Sequence, residues 1–285
     1  MRGRTRTQTQ IAINQDTEYS NRSYWVLVNA SPDLRSQILA TPELSPFKGT
    51  KCSTSIREVY LPSADVDSLM GLLHLREFQG FNIFAMPAIR RILAEENAIF
   101  RVLGRAAPPV QWFPIPTDSQ LSRGNPEDLQ GVRRFVARAV SLGGEYPDYI
   151  GEKLRSQLPV EEAVIGLVFE YGAKRAFIAP TLPGRNNEWK KWAEASDLVL
   201  IDGTFWTDDE LVQTGRSKKL ASEIGHLPLS GAGGLLAQYP KKTRGRKVLI
   251  HMNNTNPILD EESAEHRAVL DAGFEIAYDG MEIEL

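Results

Sequence analysis

The feature that most constrains this chain is a pair of short apolar runs, each stopping on a residue able to ligate a metal. Lys247-Val-Leu-Ile250 leads into His251, and a run of amides, a hydroxyl and a proline follows in Met252-Asn-Asn-Thr-Asn-Pro257. Leu198-Val-Leu-Ile201 ends likewise on Asp202-Gly203-Thr204. Short runs this rich in branched aliphatic residues read as buried strands. Carboxylate and imidazole at the ends of buried strands are how many α/β folds present metal ligands on loops held by a rigid scaffold.

The flanking pattern extends this reading. Gln10–Ile13 and Tyr24–Asn29 read as strands, with a charged hairpin loop over Asn14–Arg22. Ser31-Pro32-Asp33 starts a helix, with Ser31 as the cap. Strands follow at Arg57–Leu61 and Phe81–Ala85. Each precedes a helix, the first with Leu69, Leu72, Leu73 and Leu75 on its apolar face, the second opened by Pro87. The stretch at about 108–159 reads as an irregular insertion carrying two strands, Val110–Phe113 and Arg134–Arg138. Ala163–Phe169 and Lys174–Ala179 form a hairpin across Glu170–Ala173. Helix Asn187–Ala195, strand Asp197–Ile201, helix Gly231–Gln238, strand Val248–His251, helix Glu261–Ala272 and strand Phe274–Ala277 complete the chain. Hairpin-linked strands followed by alternating strands and helices favour a layered α/β sandwich of mixed sheets, with strand-end loops gathered at one edge.

Composition narrows the function classes. The net charge of −3 gives no reason to expect nucleic acid or an anionic membrane as partner. The single cysteine, Cys52, excludes an intrachain disulfide and a multi-cysteine metal site. No apolar run reaches the roughly 20 residues of a membrane span, and the basic start Met1–Arg6 runs into Gln8-Thr9-Gln10, not a signal core. A cytoplasmic protein is expected.

Each candidate site residue has a plainer alternative. Asp202 can ligate a metal, or can form an Asx-turn or cap that closes its strand. His226, in Glu223-Ile-Gly-His-Leu-Pro228, can act as a general acid or base, or can be a loop histidine bonded to backbone. Asp65 and Asp67 can present two hard oxygens to one cation, or can cap the helix they precede and complement its dipole. Ser230-Gly-Ala-Gly-Gly234 can bind an anion on backbone N–H groups, or can be a close-packed helix start. Of the other histidines, His266 is expected to face solvent and His74 to pack in the core or at its rim.

Several blocks resemble the coenzyme PQQ synthesis protein B family of the metallo-β-lactamase superfamily. They are Leu198–Glu210 (LVLIDGTFWTDDE), Glu223-Ile-Gly-His226, Lys247–Asp260 (KVLIHMNNTNPILD) and the ending Ala277–Leu285. Arg6–Thr9, Val28–Asp33 and Gly71–Glu77 also look like that family, so the resemblance spans nearly the whole chain. It implies one metallo-β-lactamase-like domain over 1–285, a four-layer αβ/βα sandwich of two mixed sheets with metal at their edge. It implies a role in pyrroloquinoline quinone (PQQ) biosynthesis: oxygenation of the tyrosine of a peptide-derived Glu-Tyr precursor by non-haem iron. Non-catalytic binding or transport of the quinone or its precursor is the alternative, and a zinc-dependent hydrolase a third reading.

By the same resemblance Asp202 and His251 match metal-ligand positions, His226 matches a motif histidine near the reacting group, and Asp67 matches the aspartate of the superfamily's His-x-His-x-Asp-His loop. The expected metal ligands are thus Asp65, Asp67, Asp202 and His251, with His226 and Asp67 in catalytic roles. In that loop this chain reads Ser63-Ala-Asp65-Val-Asp67-Ser68. Ser68 stands where relatives keep a histidine, and a hydroxyl is a poor substitute for imidazole on iron. Relatives begin with a glycine-rich strand turn and a Cys-x-Cys-x-x-Cys segment that binds structural zinc. The sequence starts beyond both, so a fold without that first N-terminal strand and without structural zinc is expected. The implied partners are a small-molecule or dipeptide precursor of PQQ and a second copy in a homodimer.

Overall fold

The computed structural model describes residues 6–15, 24–45, 54–76, 80–106, 109–117, 135–241, 243 and 245–285. The chain divides into two compact units. One comprises Thr7–Phe135 and Tyr146–Ala163, and the other is built mainly from Val136–Glu145 and Val164–Leu285.

The first of these holds a five-stranded sheet. Its strands are β1 (Ile11–Gln15), β2 (Tyr24–Val28), β3 (Ile56–Leu61), β4 (Asn82–Ala85) and β5 (Gln111–Pro114), side by side in that order. β1 and β2 pair antiparallel, as the expected hairpin requires, although most of the loop assigned to Asn14–Arg22 lies outside the described residues. From β2 onward the pairing is parallel. Leu27, Val28, Val59, Leu61 and Ile83 are completely buried, which accounts for the near-continuous apolar character of the central strands. β5 is one of the two strands expected within the irregular middle stretch, and it forms an edge of this sheet.

Two helices depart from the expected form. The leucine-rich helix is one α-turn, Val66–Leu69, followed by a 3₁₀ stretch, Met70–Leu75. At three residues per turn Leu69, Leu72 and Leu75 fall on one buried face. His74 lies off that face and is exposed, not packed in the core. The helix Leu34–Ala40 begins at Asp33, not at Ser31. The Ser31 hydroxyl is taken by Gln37 Oε1 at 2.8 Å and so caps nothing.

The other unit holds a six-stranded mixed sheet. β6 (Val136–Ser141), β7 (Ile165–Tyr171) and β8 (Lys174–Ala179) run antiparallel to one another; β8, β9 (Leu198–Asp202), β10 (Arg246–Ile250) and β11 (Glu275–Ile276) run parallel. The helix Glu188–Ala195 links β8 to β9, and Ala264–Asp271 links β10 to β11. Trp189, Phe177, Val199, Ile201, Val248 and Leu249 are essentially inaccessible and form this unit's core. The expected β7–β8 hairpin turns at Gly172, whose φ is 58°. A Cβ there meets nothing within 4 Å. Gly172→Ala is therefore expected to cost only the left-handed backbone penalty, about 1 kcal/mol, measured by chemical denaturation. A loss several times larger would mean that the turn is crowded.

The parallel register decides where the two polar strand ends meet. Ile250 is paired with Asp202 across β10 and β9, so His251, the next residue, emerges beside that carboxylate. His251 has φ of 58°, a left-handed backbone that ends β10 at Ile250. Both residues lie at carboxyl ends of parallel strands, where open α/β sheets place their ligands.

Candidate metal centre

Asp202, His226 and His251 come together: one ligand atom from each lies within 4.8 Å of the other two. Asp202 and His251 arrive on adjacent strand ends, and His226 on the loop that follows the short 3₁₀ turn Ser222–Ile224. His226 is not held by backbone alone. Its Nδ1 is 2.7 Å from Asp202 Oδ2, and Phe205 packs edge-on against its ring at 5.6 Å between centroids. The His251 ring stands 5.4 Å from that of His226, with its Nδ1 3.9 Å from Asp202 Oδ1. The Asp202 side chain is fully buried, while the imidazoles keep 13% and 20% exposure.

The carboxylate is held from several directions. Leu182 N donates to Oδ2 at 2.9 Å and Thr204 N to Oδ1 at 3.0 Å. Thr204 Oγ1 lies within hydrogen-bond reach of Asp202 Oδ1, of His251 O (2.7 Å) and of His251 Nδ1 (3.1 Å). With a single proton it donates to one of these at a time. The contact between Thr204 N and Asp202 Oδ1 is the Asx-type strand closure set out above as the plainer alternative; here it coexists with the imidazole contacts.

Burial alone would push the Asp202 carboxyl up, but the neighbouring His226 and His251 more than offset this and hold it well below the usual carboxylate range. With Asp202 ionised and accepting at Oδ2, the His226 nitrogen that faces it, Nδ1, is the one that carries a proton. The low native value sets the sign of an acid effect. Stabilisation is fully present above the ordinary Asp value of 3.8 and is lost as pH falls through and below it, because the unfolded chain takes up this proton first. The melting temperature of wild type is expected to drop more steeply than that of Asp202→Asn between roughly pH 5 and pH 3. Parallel curves would remove Asp202 from the acid response.

One carboxylate and two imidazoles fit a divalent transition metal. They are the donors of the 2-His-1-carboxylate sites of non-haem iron, and three protein ligands are also the usual complement of catalytic zinc. Asp65 and Asp67 lie in the unit of Thr7–Phe135. Asp65 takes the N-cap position of Val66–Leu69 but makes no side-chain cap bond; its Oδ2 accepts from Ser63 Oγ at 2.7 Å. Asp67 occupies the first turn of that helix, where negative charge complements the dipole. The glycine cluster Ser230–Gly234 shows its packing reason: a Cβ on Gly234 would lie 2.1 Å from Ser230 O. The helix after it, Leu235–Gln238, is a single turn, shorter than the expected Gly231–Gln238. His266 is partly buried, with Nδ1 2.7 Å from Ile258 O, and does not stand free in solvent. Sequence reading missed Leu182, which holds Asp202 through its backbone N–H. A backbone donor leaves no residue-type signal.

Residues 24–252 match the model of a β-lactamase superfamily domain. Coenzyme PQQ synthesis protein B of Xanthomonas campestris pv. campestris is 37% identical over 281 residues, spanning 98% of this chain and 88% of that protein. The protein of the same name from Methylococcus capsulatus is 37% identical over 285 residues, with 99% and 89% coverage. The crystal structure of Zn2+-bound PqqB from Methylobacterium extorquens superposes with a TM-score of 0.85 at 32% identity, covering 100% of this chain and 89% of that one. The fold is thus that of the metallo-β-lactamases, with two mixed sheets and flanking helices. Among the described residues no helix is long and apolar enough to cross a membrane.

Proposed function

This chain belongs to the coenzyme PQQ synthesis protein B family, and on that premise we propose that it acts in the assembly of pyrroloquinoline quinone as a metal-dependent oxygenase of a tyrosine-containing dipeptide precursor. The observation that carries this reading is the convergence of Asp202, His226 and His251 within 4.8 Å. A bound non-haem iron would supply dioxygen activation at this place. The chain's own residues do the rest. Asp202 and His251 would hold the metal, each fixed by the Thr204 contacts. On this reading His226 is left out of the metal's donor set: its Nδ1 faces Asp202, and its Nε2 is the base that takes the proton leaving the aromatic ring. Phe205 closes one side of that imidazole against water.

The test is direct. Protein loaded anaerobically with iron(II), then given oxygen, ascorbate as reductant and a Glu-Tyr dipeptide, is expected to consume oxygen and yield a product heavier by one oxygen atom. No oxygen uptake above the dipeptide-free control sinks the oxygenase reading. Tight binding of the quinone by metal-free protein would then favour the carrier reading. A zinc hydrolase is the second catalytic reading, favoured by the same three-donor set; ester turnover restored by zinc and not by iron would establish it.

A further inference from the structure

Glu210 is almost fully buried, at 6% exposure, yet it sits on the short helix Glu210–Gln213. Its two oxygens are used on two different loops. Oε2 accepts from Trp206 N at 2.7 Å, on the loop that leaves β9 after Asp202. Oε1 accepts from Thr255 Oγ1, on the loop that leaves β10 after His251. Thr255 Oγ1 in turn accepts from Asn253 Nδ2 at 2.6 Å, so the chain of donors runs from Asn253 through Thr255 to Glu210. Backbone and amide bonds run alongside: Asn253 N donates to Thr204 O at 3.1 Å, and the buried Asn256 reaches Gly203 O at 2.9 Å and Thr204 O at 3.2 Å. Trp206 O also receives Ser230 N (2.9 Å) and Ser230 Oγ (2.7 Å), which ties in the loop downstream of His226. A buried carboxyl bridging the loops that follow Asp202 and His251 is more than a helix residue needs.

We propose that Glu210 is a positioning residue for the metal centre: it fixes the spacing of Asp202 and His251, touching neither. The proposal rests on the metal reading of Asp202, His226 and His251. In Glu210→Gln one oxygen becomes an NH2 that cannot accept, so at nearly constant volume either Trp206 N loses its acceptor or the Thr255 hydroxyl must turn its proton away and accept a second donor beside Asn253 Nδ2. Thr255→Val cuts the other link from the opposite side. Outer partners of metal ligands typically account for 10- to 100-fold in affinity.

The full-length chain and each variant are titrated with Zn2+ against a competing chelator, and the metal-free forms are melted in parallel. Glu210→Gln and Thr255→Val are each expected to bind Zn2+ about 10- to 100-fold more weakly, with metal-free forms that stay folded and lose no more stability than one stranded buried group accounts for, and with a shifted visible spectrum of the cobalt(II) form. Wild type that takes up no Zn2+ overturns the metal reading and the proposal together. Wild type that binds, with both variants binding equally well, overturns the proposal alone. So does weakened binding only where the metal-free variants are themselves unfolded, since Glu210 then serves the fold and not the spacing of the ligands.

Discussion

His251→Ala and Asp202→Ala are each expected to abolish tight metal binding, lowering Zn2+ affinity by more than the roughly 100-fold associated with loss of an outer partner. The two should differ in what happens to the fold. His251 is partly exposed at a strand end, and its removal leaves β10 and its register with β9 intact. Its metal-free melting temperature should stay near wild type. Asp202 is sealed, and its removal leaves Leu182 N, Thr204 N and His226 Nδ1 without an acceptor. Each buried donor so stranded costs about 1–3 kcal/mol, so Asp202→Ala should lose metal and stability together. Metal analysis of dialysed protein beside thermal melts separates the two. Full metal content in His251→Ala would mean that the ion sits elsewhere.

The contrast between these residues also marks how far the sequence could be read. The ends of β9 and β10 were legible because apolar runs stop sharply there, and parallel strands buried on both faces read as near-continuous apolar runs. That Asp202 and His251 would stand side by side was not, because it depends on the Ile250–Asp202 register, which hydrophobic pattern alone leaves open. His226 was legible as a candidate from its residue type and its loop, but its partner was not. Asn253, Thr255 and Asn256 announced themselves as an unusual polar run. Their acceptors, Glu210 and the carbonyls of Gly203 and Thr204, lie 45 or more residues away in sequence. Helix ends were the weakest reading. Ser31 looks like a cap but is used by Gln37, whereas Ser263 does cap its helix, accepting from His266 N at 2.9 Å.

Gly71→Ala is expected to be among the most destabilising single-methyl additions in the unit of Thr7–Phe135. The residue lies in the stretch Met70–Leu75, where glycine is otherwise a poor choice for helical structure. Its N–H donates to Ala30 O at 2.8 Å, and Ala30 N donates to Ser68 O at 2.7 Å, so the stretch is laced to the end of β2. A Cβ at Gly71 would lie 2.1 Å from Ser31 O and 2.8 Å from both Ala30 C and Ala30 O. All three are backbone atoms, and no side-chain rotation can relieve the overlap. Either both hydrogen bonds lengthen or the segment carrying Asp67 and Ser68 moves off β2. Overpacking costs about 1–3 kcal/mol where side chains can yield, and more where they cannot, so a loss of about 3 kcal/mol or more is expected. Gly104 supplies the internal comparison. It too is a helical glycine, but a Cβ there meets nothing within 4 Å, so Gly104→Ala should be neutral or stabilising by up to about 1 kcal/mol. Chemical denaturation of the two variants against wild type reads the difference. Similar stabilities for Gly71→Ala and Gly104→Ala would show that the end of β2 and the Met70–Leu75 stretch are not in the close contact on which the position of Asp67 depends.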